Sequence, residues 1–100
     1  MSTKIPINIL VSTFKEGDMY IAYSLMLDLS TYAPTFEKAQ QRFEEAVQIF
    51  FEELDKKGTT DEVLTNLGWE KVNNEWTPPL AVHNEVSSFM VPLASPYATA

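Results

Sequence analysis

Between Phe36 and Lys57, the residues Phe36, Ala39, Phe43, Ala46, Val47, Phe50 and Leu54 recur at spacings of three and four. On a helix of 3.6 residues per turn they form one apolar stripe, so the spacing predicts a helix over 36–57. Its ends carry matching signals. Thr35 is placed to accept from a free backbone N–H at the N-terminus. Lys56 and Lys57 suit the negative end of the helix dipole, and Gly58 suits a left-handed cap. The opposite side carries Glu37, Lys38, Arg42, Glu44, Glu45, Glu52 and Glu53. Such a helix lies on a sheet with one side in water. Ile49 and Phe51 fall off the narrow stripe, which predicts that the helix buries more than one face or meets a partner.

The sheet is supplied upstream. Ile5, Ile7, Ile9 and Val11 alternate with Pro6, Asn8, Leu10 and Ser12, which predicts a strand over residues 5–14 with one face buried. Pro6 lacks an N–H and places that end at an edge or a strand start. Lys15-Glu16-Gly17-Asp18 reads as a turn, and residues 19–25 return as a second strand. A third strand is expected from Asp28 to Tyr32, ended by Pro34.

After the long helix, Thr59-Thr60-Asp61-Glu62 fits a capping box, and Val63, Leu64 and Leu67 give a short second helix stopped by Gly68. Trp69 to Trp76 reads as a hairpin turning at Asn73-Asn74, with Lys71 opposite Trp76. The expected fold is α+β: a three-stranded antiparallel sheet with one long helix packed on it (β-β-β-α), then a short helix, a small hairpin and a C-terminal strand. Residues 1–79 are expected to form the domain. Residues 80–100 would be a strand and tail, with Val86 to Leu93 pairing at a sheet edge or with another chain, and 94–100 frayed.

The chain has 100 residues, the size of one domain, and 45% of them are hydrophobic. It has no cysteine, so disulfide frameworks and thiol catalysis are excluded. Neither a signal peptide nor a run of apolar residues long enough for a membrane span is expected, and the cytoplasm is the expected compartment. The formal charge is −7, from 14 acids against 7 bases. Such a surface is repelled by phosphate backbones, so direct nucleic-acid binding is not expected; it suits a basic protein partner and also serves plain solubility.

Catalytic chemistry would have to come from carboxylates, hydroxyls and one histidine. His83 is that histidine, so no multi-histidine metal site is possible. It reads as a surface or capping residue, or else as a pH-sensitive interface contact. Asp18 and Asp28 could be imagined as a metal-binding pair, but one falls in a turn and the other at a strand entrance. Gly17, Gly58 and Gly68 are isolated and make no phosphate loop. Trp69 and Trp76 read as a small satellite core in preference to a stacking platform. A binding protein is therefore expected, with no enzyme activity, no cofactor and no metal.

Three runs, Glu16-Gly17-Asp18-Met19-Tyr20-Ile21-Ala22-Tyr23, Asp28-Leu29-Ser30-Thr31-Tyr32 and Thr35-Phe36-Glu37-Lys38-Ala39, with Glu45-Ala46-Val47 inside the helix, resemble the HicB-like antitoxin domain family. That family has a hydrophilic turn, a strand reading Y-x-A, a short strand near an aspartate and threonine, and a helix opening T-x-E-x-A. The order and spacing match over about residues 5–57. The resemblance implies a partial ribonuclease-H-like fold and a protein that binds and neutralises a small basic ribonuclease toxin of the HicA type. Nothing after Pro79 resembles the ribbon-helix-helix or helix-turn-helix domain that such antitoxins often carry. The partner-contact candidates are Asp18, Tyr20, Tyr23 and Glu44. The alternative is a stand-alone HicB-like homo-oligomer, a dimer bridged through Val86, Phe89 and Val91, with a regulatory or ligand-binding role.

Overall fold

The computed structural model describes residues 4–80 and 82–94. Five strands and two helices follow in the order β1 (Ser12–Glu16), β2 (Met19–Ser24), β3 (Leu29–Ala33), α1 (Phe36–Lys57), α2 (Thr60–Asn66), β4 (Glu70–Val72) and β5 (Glu75–Thr77). The first three form an antiparallel sheet in the order β1-β2-β3, and β4 pairs with β5 in a separate hairpin. This is an α+β fold with α1 packed against β3 and β2.

Local chemistry accounts for the joints. Gly17 takes φ 58° in the two-residue turn that closes Glu16 against Met19. Asn73 and Asn74 both take positive φ in the second hairpin, and Lys71 lies opposite Trp76 as the sequence predicts. The Thr35 hydroxyl accepts from the Lys38 N–H at 3.1 Å, capping α1. At the other end Gly58, at φ 66°, donates to the Asp55 carbonyl while Thr59 donates to that of Leu54. This pair of bonds is a Schellman closure.

One side of the sheet faces α1. Ala22 on β2, Ala33 on β3, and Ala39 and Phe43 on α1 meet there, the small side chains letting helix and sheet approach closely. The Thr31 hydroxyl donates to the Ala39 carbonyl at 2.9 Å across that contact. A second cluster, Leu27, Leu54, Leu64 and Trp69, fills the space under the C-terminal half of α1. Ile9, Leu29 and Val47 touch both clusters, so the core is continuous. Trp69 is 2% exposed, and its ring N–H donates to the Met26 carbonyl at 2.7 Å, tying the segment after α2 to the β2–β3 turn. The tryptophan pair therefore belongs to the main core and is not a satellite of it.

The structure corrects three further expectations. The first strand begins at Ser12, not at residue 5. Its partner β2 ends at Ser24, opposite Leu29 of β3, so residues before Val11 have no strand to pair with. Ile7 and Ile9 still turn toward the core, so the alternation reports burial correctly without a ladder. The second is the capping box. Thr59 makes no side-chain cap to α2, because its backbone (φ −111°, ψ 12°) is already committed to closing α1. Third, residues 82–94 form no strand and are exposed throughout, since no edge of the sheet lies beside them. The frayed end expected over 95–100 lies outside the described residues.

Candidate partner-binding cleft

Residues 4–11 run past α1 without closing against it, and two adjoining cavities of about 730 and 350 Å³ occupy the gap. Both are lined by Ile5, Pro6, Ile7, Val47 and Gln48, so they are two parts of one cleft. The larger part continues past Phe51 to Leu64, Trp69 and Trp76, and the smaller extends along Ile9, Val11 and Phe43. The floor is apolar because α1 turns its buried stripe inward here while the N-terminal segment covers only part of it.

The rim has the opposite character. Glu44, Gln48, Glu52 and Asp55 follow one another at spacings of four, four and three, which places them in one row along α1. All four line the cleft and all are exposed. Glu44 and Glu52 make no ion pair among the described residues, whereas the neighbouring Glu53 lies 3.7 Å from Lys57. Lys4 is the one basic residue on the lining. An apolar trough bordered by exposed carboxylates has the chemistry to take an apolar anchor from a partner whose surrounding surface is basic.

The structure does not bring the predicted partner-contact residues into one site. Glu44 lies on the cleft rim. Asp18 is exposed in the β1–β2 turn. Tyr20 faces the helix side, half-buried, with its ring 6.4 Å from that of Phe36 and the Lys15 ammonium 5.8 Å from its centroid. Tyr23 pairs with Ser12 and Ser30 on the other side of the sheet. Asp18 and Asp28 sit at opposite ends of β2, about 20 Å of strand apart. Among the described residues no three His, Asp or Glu converge as a metal site would require. Val86, Phe89 and Val91 stand exposed on the extended C-terminal segment.

Sequence reading missed Gln48, Glu52 and Asp55 as a unit. Their spacing with Glu44 is legible in the chain, but the cleft they border exists only once residues 4–11 are placed against α1. The side of the sheet away from α1 is the other exposed apolar surface: Phe14, Ile21 and Tyr32 lie in register across the three strands, with Phe14 55% and Tyr32 65% exposed. No family model matches the chain, and no curated protein or solved structure shows significant similarity to it. Among the described residues no helix is long and apolar enough to cross a membrane.

Proposed function

We propose that this chain is a cytoplasmic, antitoxin-type binding protein of the HicB-like kind, without catalytic activity of its own, which holds and neutralises a small basic ribonuclease. One observation carries the reading: the row Glu44, Gln48, Glu52 and Asp55 beside an apolar cleft. The apolar floor offers pockets for anchoring side chains, which supply most of the affinity of such contacts. The carboxylates attract a basic surface and fix its register, acting chiefly on the rate of encounter. The excess of 14 acids over 7 bases across the chain adds a longer-range attraction of the same sign. The order of elements, β-β-β-α, is that of the family the sequence resembles.

The test is recovery of the partner from the native host at moderate salt, using the wild-type chain and the double variant Glu44→Lys/Glu52→Lys side by side. The expected result is a small basic protein with ribonuclease activity that is retained by the wild type, inhibited by it, and lost from the double variant. Retention of the same protein by both chains would remove the cleft from the account. A chain that recovers only itself would favour the second reading, a homo-oligomer, which the exposed apolar side chains of residues 86–93 support independently.

A further inference from the structure

The C-terminal segment carries six large apolar side chains between residues 82 and 93, and the structure leaves every one in water. Val86 and Met90 are fully exposed and Phe89 is 80% exposed. The segment alternates, with Val86, Ser88, Met90 and Pro92 in one set and Ser87, Phe89, Val91 and Leu93 in the other. Both sets are apolar enough to be buried. On the body of the domain, β1 is an outer strand of the sheet, with β2 on one side and, among the described residues, no strand paired on the other.

The register fixes which of its backbone groups are free. The two-residue turn closes on the pair Glu16 and Met19, so Glu16, Phe14 and Ser12 exchange hydrogen bonds with β2. The N–H and C=O of Thr13 and Lys15 therefore point to the open edge. The other outer strand, β3, is partly blocked, because Arg42 donates to the Tyr32 carbonyl at 2.8 Å.

We infer that the segment Val86–Leu93 of a second copy of this chain adds to the open edge of β1, and that two such crossings related by a twofold axis make a homodimer. Pro92 has no N–H to give, so its set faces outward and the residues that bond to Thr13 and Lys15 come from the other set, Ser87, Phe89, Val91 and Leu93. The new strand is then an outer one, where proline is tolerated. On one side of the sheet it lies beside Phe14 and extends the exposed row Phe14, Ile21 and Tyr32; on the other it lies beside Thr13 and Lys15.

Charge also selects this occupant. Residues 86–94 carry no charge, whereas residues 4–80 carry 13 acids and 7 bases, a net −6. Two whole bodies of that charge repel when pressed face to face. A neutral strand crosses between them without that penalty, and it meets in β1 a strand whose two charges, Lys15 and Glu16, cancel. Two reciprocal crossings reach on the order of the 1,200–2,000 Å² that stable interfaces bury, and one crossing does not. The segment makes no such contact within its own chain, where it is exposed throughout. The inference does not depend on the basic-partner reading, because the cleft beside α1 and the edge of β1 are different surfaces.

Light scattering during size exclusion tests it on the full chain, loaded from about 5 to about 200 µM. The expected mass is twice 11.3 kDa at the upper concentrations. The variant Phe89→Asp/Val91→Asp should run as a monomer with an unchanged far-UV circular dichroism spectrum, since both side chains are exposed in the single chain. Thr13→Pro, which removes an edge N–H without touching a bond to β2, should do the same. Amide exchange supplies the second readout: amides of the inward set, Ser87, Phe89, Val91 and Leu93, should gain protection in the wild type at high concentration relative to Ser88 and Met90 and lose it on dilution. A wild type that stays monomeric, a dimer that survives the double aspartate variant, or a tail protected independently of concentration (docking within its own chain) would each overturn the inference.

Discussion

Trp69→Phe tests whether the segment after α2 is built into the core or merely rests on it. The substitution removes the ring N–H that donates to the Met26 carbonyl at 2.7 Å, a bond spanning 43 positions of sequence. Leaving that carbonyl without its donor costs about 1–3 kcal/mol. The smaller ring also leaves a gap beside Leu64, Leu54 and Phe51, adding about 1 kcal/mol. The sum, roughly 2–4 kcal/mol, is a large share of the ~5–15 kcal/mol by which domains are stable. It corresponds to a fall in Tm of roughly 10–20 °C for a chain of this size. Urea unfolding followed by far-UV circular dichroism measures it without relying on the tryptophan signal. Trp76→Phe is the control: Trp76 is half-buried, its ring nitrogen has no hydrogen bond among the described residues, and the loss should stay below about 1 kcal/mol. A Trp69→Phe chain within about 0.5 kcal/mol of the wild type, or equal losses for both variants, would refute the reasoning.

Three further changes probe the frame that holds the cleft. Thr35→Ala removes the cap bond to Lys38 and should lower stability by about 1 kcal/mol in thermal unfolding. Gly58→Ala forces a side chain into φ 66°, where the surrounding space is open but the backbone is strained; a loss of about 1–2 kcal/mol is expected from the backbone alone. Ser24→Ala should be neutral or stabilising by up to about 1 kcal/mol, because the Ser24 hydroxyl is fully buried with no hydrogen-bond partner among the described residues. A clear destabilisation by Ser24→Ala would show that the hydroxyl is satisfied in solution.

The helix was legible in full: the stripe from Phe36 to Leu54 and the caps at Thr35 and Gly58 give its observed ends. The two hairpin turns were legible for a similar reason, since Gly17 and Asn73-Asn74 favour the backbone angles those turns require. Strand limits were less so. Ile5 to Val11 alternate as a strand does, but a strand also needs a neighbour, and for all of them but Val11 β2 has ended. The same holds for Val86 to Leu93. Alternation records which side chains seek burial, whereas pairing depends on what the rest of the chain places alongside. Thr59 shows a different limit, in that one residue carried the signal for starting α2 and was already used in ending α1. Of the candidate contacts, Glu44 lies on the cleft, while Tyr20 and Tyr23 were separated by strand alternation that the sequence already displayed.

The most direct test of the central claim is a titration of the recovered basic ribonuclease against the wild-type chain, Glu44→Lys/Glu52→Lys and Ile5→Asp, repeated across a range of salt. Ile5 is 64% exposed and lines both parts of the cleft, so the last change alters the floor while sparing the core. The account predicts that the charge-reversed chain binds at least about 10-fold more weakly at low salt, that the difference narrows as salt screens the rim, and that Ile5→Asp loses affinity at every salt concentration. Equal affinity for all three chains, insensitive to salt, would contradict it and place the partner elsewhere on the molecule.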